Sequence, residues 1–128
     1  MKRFFIYHFP ALLYAGIILI LSSMPRSELP ELAILRADKL LHFLEYALFA
    51  VLIYRSMADL FKPPRSRYIF WASLAIVMLF AAVDEFYQSY IPGRQSDPID
   101  LAIDIFGAAL ILILLWIRQK KSITTSES

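Results

Sequence analysis

Four apolar blocks, each of 16 to 19 residues, dominate a chain of only 128. They run from Phe4 to Leu21, Leu40 to Met57, Tyr68 to Val83 and Ile99 to Ile117. A helix rises about 1.5 Å per residue and a bilayer's hydrocarbon core is about 30 Å thick, so each block with its flanks nearly spans a membrane. Composition supports lipid as the solvent. Hydrophobic residues make up 59%, charged residues 19%, and mean hydropathy is +0.60, too few polar residues to cover a water-soluble domain of this size. The sequence therefore predicts one all-α domain over 1–128, a four-helix transmembrane bundle with helices at about 4–23, 38–57, 68–90 and 98–118.

The segments between the blocks are short and carry turn residues: Pro25 and Pro30, the Pro63-Pro64 pair, and Pro92-Gly93. None could hold a second domain. Lys2 and Arg3 precede the first block, but its apolar run exceeds a usual signal core and no small-residue cleavage site follows, so it reads as a retained helix. Pro10 within it predicts a kink. The tail after Arg118 is basic and then Ser/Thr-rich, and reads as a frayed end. With no cysteine, disulfides, thiolate metal centres and thiol catalysis are excluded. Nothing reads as a nucleic-acid surface or a phosphate-binding glycine loop.

Basic residues give the orientation. With the N-terminus inside, nine of the thirteen Lys and Arg fall on the inner side, against two of the eleven acids. The other nine acids fall outside or at the outer helix ends, so both sortings put both termini in the cytoplasm of a multi-pass protein of the inner (plasma) membrane.

Several ionisable residues stand at those outer ends, where lipid makes an unpaired charge expensive. Helical spacing puts Asp38, His42 and Glu45 on one face, with Lys39 and Tyr46 beside them. Asp84 and Gln88 share a face near the end of the third helix, next to Glu85, and Arg94 follows the turn. Asp100, Asp104 and Gly107 share a face of the fourth. Asp97 before Pro98 reads as a helix cap and Asp100 as a first-turn carboxylate. His42, Glu45 and Asp104 lie too deep for capping. Asp84 and Glu85 sit at a helix C-terminus, where the dipole disfavours anions, and so require a compensating partner such as Lys39, Arg94, His42 or a bound cation. A static ion-pair knot and a functional site both fit this pattern. Gly107 reads as a close-packing position.

The stretch Asp38-Lys39-Leu40-Leu41-His42-Phe43-Leu44-Glu45-Tyr46 resembles the D-K-x-x-H-F-x-x-Y signature of VanZ-like membrane proteins. Asp84-Glu85-Phe86-Tyr87-Gln88, then Pro92-Gly93-Arg94, then Asp100, Asp104 and Gly107, is similar to that family's D-E-x-x-Q…P-x-R…D-x-x-x-N-x-x-G pattern. Ser22-Ser23 and Pro25 also fit. Asp104 departs from the usual Asn, and Ile111 stands where a second Gly is common. The resemblance implies four inner-membrane helices and a role in the cell envelope, its name-giving member being linked to low-level resistance to the glycopeptide teicoplanin.

Three functions follow as expectations. The outer cluster would bind a cell-wall precursor, lipid headgroup or glycopeptide, with Lys39 and Arg94 offered to phosphate. Alternatively, His42, Glu45, Asp84, Glu85 and Asp104 would hold a divalent metal for a membrane hydrolase or transferase. A proton-coupled transporter or flippase is the third, and four short helices would need to form a homo-oligomer to make its path.

Overall fold

The computed structural model describes residues 1–25, 38–61 and 66–126, with the side chains of residues 38 and 123–126 excepted. The loop charges Arg26, Glu28, Glu31, Arg36, Lys62 and Arg65, and Glu127 of the tail, lie outside the described residues. Among the described residues the protein is all-α, with no strand. Five helices follow one another: α1 (Lys2–Tyr7), α2 (Phe9–Ser22), α3 (Asp38–Leu60), α4 (Ser66–Gln88) and α5 (Pro98–Ser126).

Three of them are long and apolar enough to cross a bilayer, over Lys39–Leu60, Ser66–Gln88 and Pro98–Ser122. Twenty-three residues of helix, as in α4, make about 35 Å, which exceeds the hydrocarbon thickness. The first apolar block differs from its expectation. It is divided at His8, and α2 alone has 14 residues, about 21 Å of helix. Pro10 is the physical reason. It has no N–H to give Ile6, and its ring crowds that carbonyl, so the helix breaks two residues upstream. The His8 N–H still bonds Phe4 O at 2.9 Å and the Leu12 N–H bonds His8 O at 3.2 Å, so the break is a kink within a nearly continuous rod. At the other extreme, α5 continues to Ser126, through the tail expected to fray.

α3, α4 and α5 pack pairwise against one another, and α2 lies against α3 and, less extensively, α4. Their shared core is apolar: Ile18, Phe49, Ala50, Val77, Ala81, Ala108 and Leu112 are buried. Phe49 and Phe80 lie 4.8 Å apart between ring centroids, and Tyr46 meets Phe49 edge to face. Gly107 lets α5 close on α3, since a Cβ there would lie 2.6 Å from Phe43 O. The outward faces are as apolar as the core, with Leu12, Ile20, Leu40, Leu79, Phe86 and Phe106 all exposed. In water such a surface would aggregate; in lipid it is solvated.

Contacts between the described helix ends sort them to two poles. One pole holds the C-terminus of α2, the N-terminus of α3, the end of α4 and the start of α5. The other holds α1, the end of α3, the start of α4 and the far part of α5. At this second pole α1 is fastened to α3 by a hydrogen-bonded ion pair between Arg3 and Asp59. His8 shares a 2.7 Å hydrogen bond with Ser56 Oγ and stands 3.4 Å from Asp59 Oδ2.

Candidate functional site

The first pole carries the ionisable residues singled out in the sequence, most of them distributed over four hydrogen-bonded groups. Lys39, one residue into α3, reaches Asp100 in the first turn of α5, Nζ to Oδ1 at 2.8 Å, with Asp97 Oδ2 at 3.8 Å. One turn further along both helices, His42 Nδ1 lies 3.1 Å from Asp104 Oδ1. Asp104 is 1% exposed, so this contact stands inside the bundle. The side chain of Asp38 lies outside the described residues.

The third group crosses α3, α4 and α2. Tyr46 Oη donates to Asp84 Oδ2 at 3.0 Å, and Gln88 Nε2, one turn along α4, donates to the same oxygen at 3.2 Å. Gln88 Nε2 also donates to Ser22 Oγ at 3.2 Å. Asp84 is 2% exposed, and its other oxygen is buried with no donor among the described residues. In the fourth group, Glu85 Oε2 accepts from Ser96 Oγ at 3.2 Å and from the Asp97 N–H at 3.0 Å.

The partners of Asp84 and Glu85 are a phenol, an amide, a hydroxyl and a backbone N–H, where the sequence suggested cations. Neutral donors meet the need for hydrogen bonds without placing a second ion in lipid. Asp97 does cap α5, since its Oδ1 accepts from the Ile99 N–H at 2.8 Å. Arg94 serves a helix end as well. Its Nε donates to Met24 O at 3.0 Å and an Nη donates to Leu21 O at 3.1 Å, the carbonyl that also accepts from the Met24 N–H, so the arginine ties its own turn to the end of α2. The turn that delivers it contains Gly93 at φ 77°, a conformation other residues rarely adopt.

Glu45 stands apart from all four groups. It forms no hydrogen bond or ion pair with any described residue, although His42, Asp84, Asp104 and Arg94 are its ionisable neighbours. It faces a cavity of about 410 Å³ between α2, α3 and α4. Leu44, Leu48 and Tyr14 give that cavity an apolar wall, and Glu45, His42, Gln88, Ser22 and Arg94 give it a polar end. Tyr14 and the leucines were not singled out from the sequence, because apolar side chains on a lipid-exposed helix carry no distinguishing signal. Ser22 had one, its place in the Ser22-Ser23 pair after the first block.

Among the described residues no three His, Asp or Glu side chains are grouped as around a metal ion. The five residues offered as ligands are instead spread over the Tyr46–Asp84, His42–Asp104 and Glu85–Asp97 contacts, with Glu45 alone at the cavity.

Long apolar helices with lipid-compatible outer faces, closed at one pole by a buried polar network, define a multi-pass integral membrane protein. The family described as VanZ/LLP1 matches residues 5–119, nearly the whole chain, and the protein belongs to that family. No curated protein and no solved structure matches it.

Proposed function

We propose that this protein is a four-span inner-membrane protein that holds an amphiphilic envelope molecule in the cavity beside Glu45, at the outer face. α1 and α2 together supply the first span, and both termini are cytoplasmic. The Lys/Arg distribution supports that orientation. Alkaline phosphatase fused at residue 95 is then active and fused at residue 64 inactive; the reverse pattern would overturn the topology.

One observation carries the binding reading: a carboxylate without a partner among the described residues at the polar end of an otherwise apolar cavity. An apolar wall with a few polar groups at one end matches a molecule with a chain and a head. The head that suits Glu45 brings hydrogen-bond donors, as the hydroxyls and amines of cell-wall precursors, glycopeptides and many lipid headgroups do. Lys39 and Arg94, the cations that would have met a phosphate, are engaged with Asp100 and with the α2 carbonyls. Mass spectrometry of amphiphiles that co-purify with the protein tests this. One class should be enriched on the native protein and lost from both Glu45→Gln and the cavity-filling Leu48→Trp; identical profiles for all three would sink it.

A second reading, a hydrolase or transferase, is favoured by the His42–Asp104 contact, because a carboxylate-oriented imidazole lining a cavity is equipped for proton transfer. A divalent cation in this reading would draw His42, Asp104 and Glu45 together. Thermal stability that rises with Mn²⁺ or Zn²⁺ in the native protein and not in His42→Ala supports it, and indifference to both ions counts against the metal. A transport path has less support: beyond Asp84 the core runs through Phe49, Val77, Ala81 and Leu112, with Ser73 and, at the far pole, Ser56 as buried polar residues among those described.

A further inference from the structure

The opposite pole carries a second cavity, of about 380 Å³, lined by Ser66, Arg67, Phe70, Trp71, Trp116 and Lys120. Among the described residues no acidic one lines it. Three aromatic rings form its apolar wall. Phe70 meets Trp71 edge to face at 5.1 Å, and Trp116 lies 5.6 Å from Phe70 on the other side. Lys120 Nζ sits 4.7 Å over the Trp116 ring, which holds that cation at the rim. Arg67 is exposed and forms no hydrogen bond or ion pair with any described residue. α4 begins at Ser66, so its first N–H groups and the positive end of its dipole are at the same place. The indole N–H of Trp116 is buried and has no acceptor among the described residues.

We propose that this cavity binds the phosphate headgroup of an anionic glycerophospholipid, with the lipid's glycerol and upper acyl chain against Phe70 and Trp71. The cations and the helix start suit a phosphate. The aromatic wall, with Trp71 open to the bilayer, suits the apolar part that a free phosphate ion lacks. The site is about a helix length from Glu45, on residues outside the acidic network, and it stands or falls independently of the reading given to that network.

Both tryptophans of the chain line this cavity, so intrinsic fluorescence reports on it directly. The purified protein is reconstituted in vesicles containing brominated phosphatidylglycerol or brominated phosphatidylcholine, and bromine quenching is compared. Phosphatidylglycerol should quench at a lower mole fraction than phosphatidylcholine, by roughly thirtyfold for two cations near the headgroup. The preference should vanish in Arg67→Gln/Lys120→Gln and survive in Lys2→Gln/Arg118→Gln, which removes the same charge from the same pole outside the cavity. If the double variant does not fold, Arg67→Gln alone, at an exposed position, should reduce the preference by about fivefold. Equal quenching by the two lipids would overturn the proposal, as would a preference that persists in the cavity variants or falls equally in the control. If inorganic phosphate abolishes the preference, the site is one for the free ion and the lipid assignment fails.

Discussion

His42 on α3 and Asp104 on α5 approach to 3.1 Å, and that contact joins a fully buried carboxylate to an imidazole that also lines the Glu45 cavity. A hydrogen bond involving a charged partner contributes about 1.5–3 kcal/mol, and removing His42 takes that donor from a carboxylate that is 1% exposed. A double-mutant cycle on His42→Ala and Asp104→Ala should therefore give a coupling energy of about 1–3 kcal/mol in unfolding by SDS or heat. Additive effects would show that the two side chains do not interact.

Asp104→Asn is expected to behave differently. The amide oxygen can accept from the imidazole as the carboxylate does, and the variant restores the residue more usual in the family pattern. Stability should change by less than about 1 kcal/mol, while amphiphile retention at Glu45 should alter only if the carboxylate's charge is needed. A large loss of stability would mean that Asp104 is a structural anion.

Tyr46→Phe removes one of the two donors to Asp84 Oδ2, leaving Gln88 alone to serve a carboxylate whose other oxygen already lacks a donor. The expected cost is about 1–3 kcal/mol. Tyr46→Phe combined with Asp84→Leu should be less destabilised than Tyr46→Phe alone, since the orphaned acceptor goes with its partner. Thermal melts in detergent measure both.

Gly107 and Gly16 form an internal contrast. A Cβ at Gly107 would meet Phe43 O at 2.6 Å, whereas nothing lies within 4 Å of one at Gly16. Gly107→Ala should cost about 1–3 kcal/mol by forcing α5 away from α3. Gly16→Ala, in the interior of α2, should be neutral or stabilising by up to about 1 kcal/mol. Equal effects in a melting assay would contradict the close approach.

Arg94→Gln should loosen the turn's hold on the end of α2, at a cost of about 1–2 kcal/mol. Its clearest sign would be faster amide hydrogen exchange over residues 18–24 than over α3, since those carbonyls and their helix turn lose their external donor.

Much of this arrangement was legible in the sequence. Lipid leaves few options for the backbone, so block length and hydropathy alone predicted all-α structure and placed α3, α4 and α5 to within a few residues at most of their ends. Local chemistry predicted the Asp97 cap and the Gly107 contact. What could not be read was lateral pairing. Periodicity says that Asp84 and Gln88 share a face, but not that Tyr46 of another helix meets that face, nor that Glu85 turns instead to Ser96 and the Asp97 N–H. The same gap hid Asp59. By position alone it is a charge just past the second apolar block, yet its side chain is 9% exposed and faces Arg3 and His8 across the α1–α3 interface. Pro10 announced the kink at His8, but not that α1 would be fastened to α3 through Arg3 and Asp59.

The leucines that rim the Glu45 cavity, Leu41, Leu44 and Leu48, are each about half exposed and face outward. A guest could thus arrive sideways, diffusing in the plane of the bilayer, and need never leave the lipid phase. Its occupancy would then follow its mole fraction among membrane lipids, so an intrinsically weak association could still keep the protein loaded whenever that molecule is abundant in the leaflet.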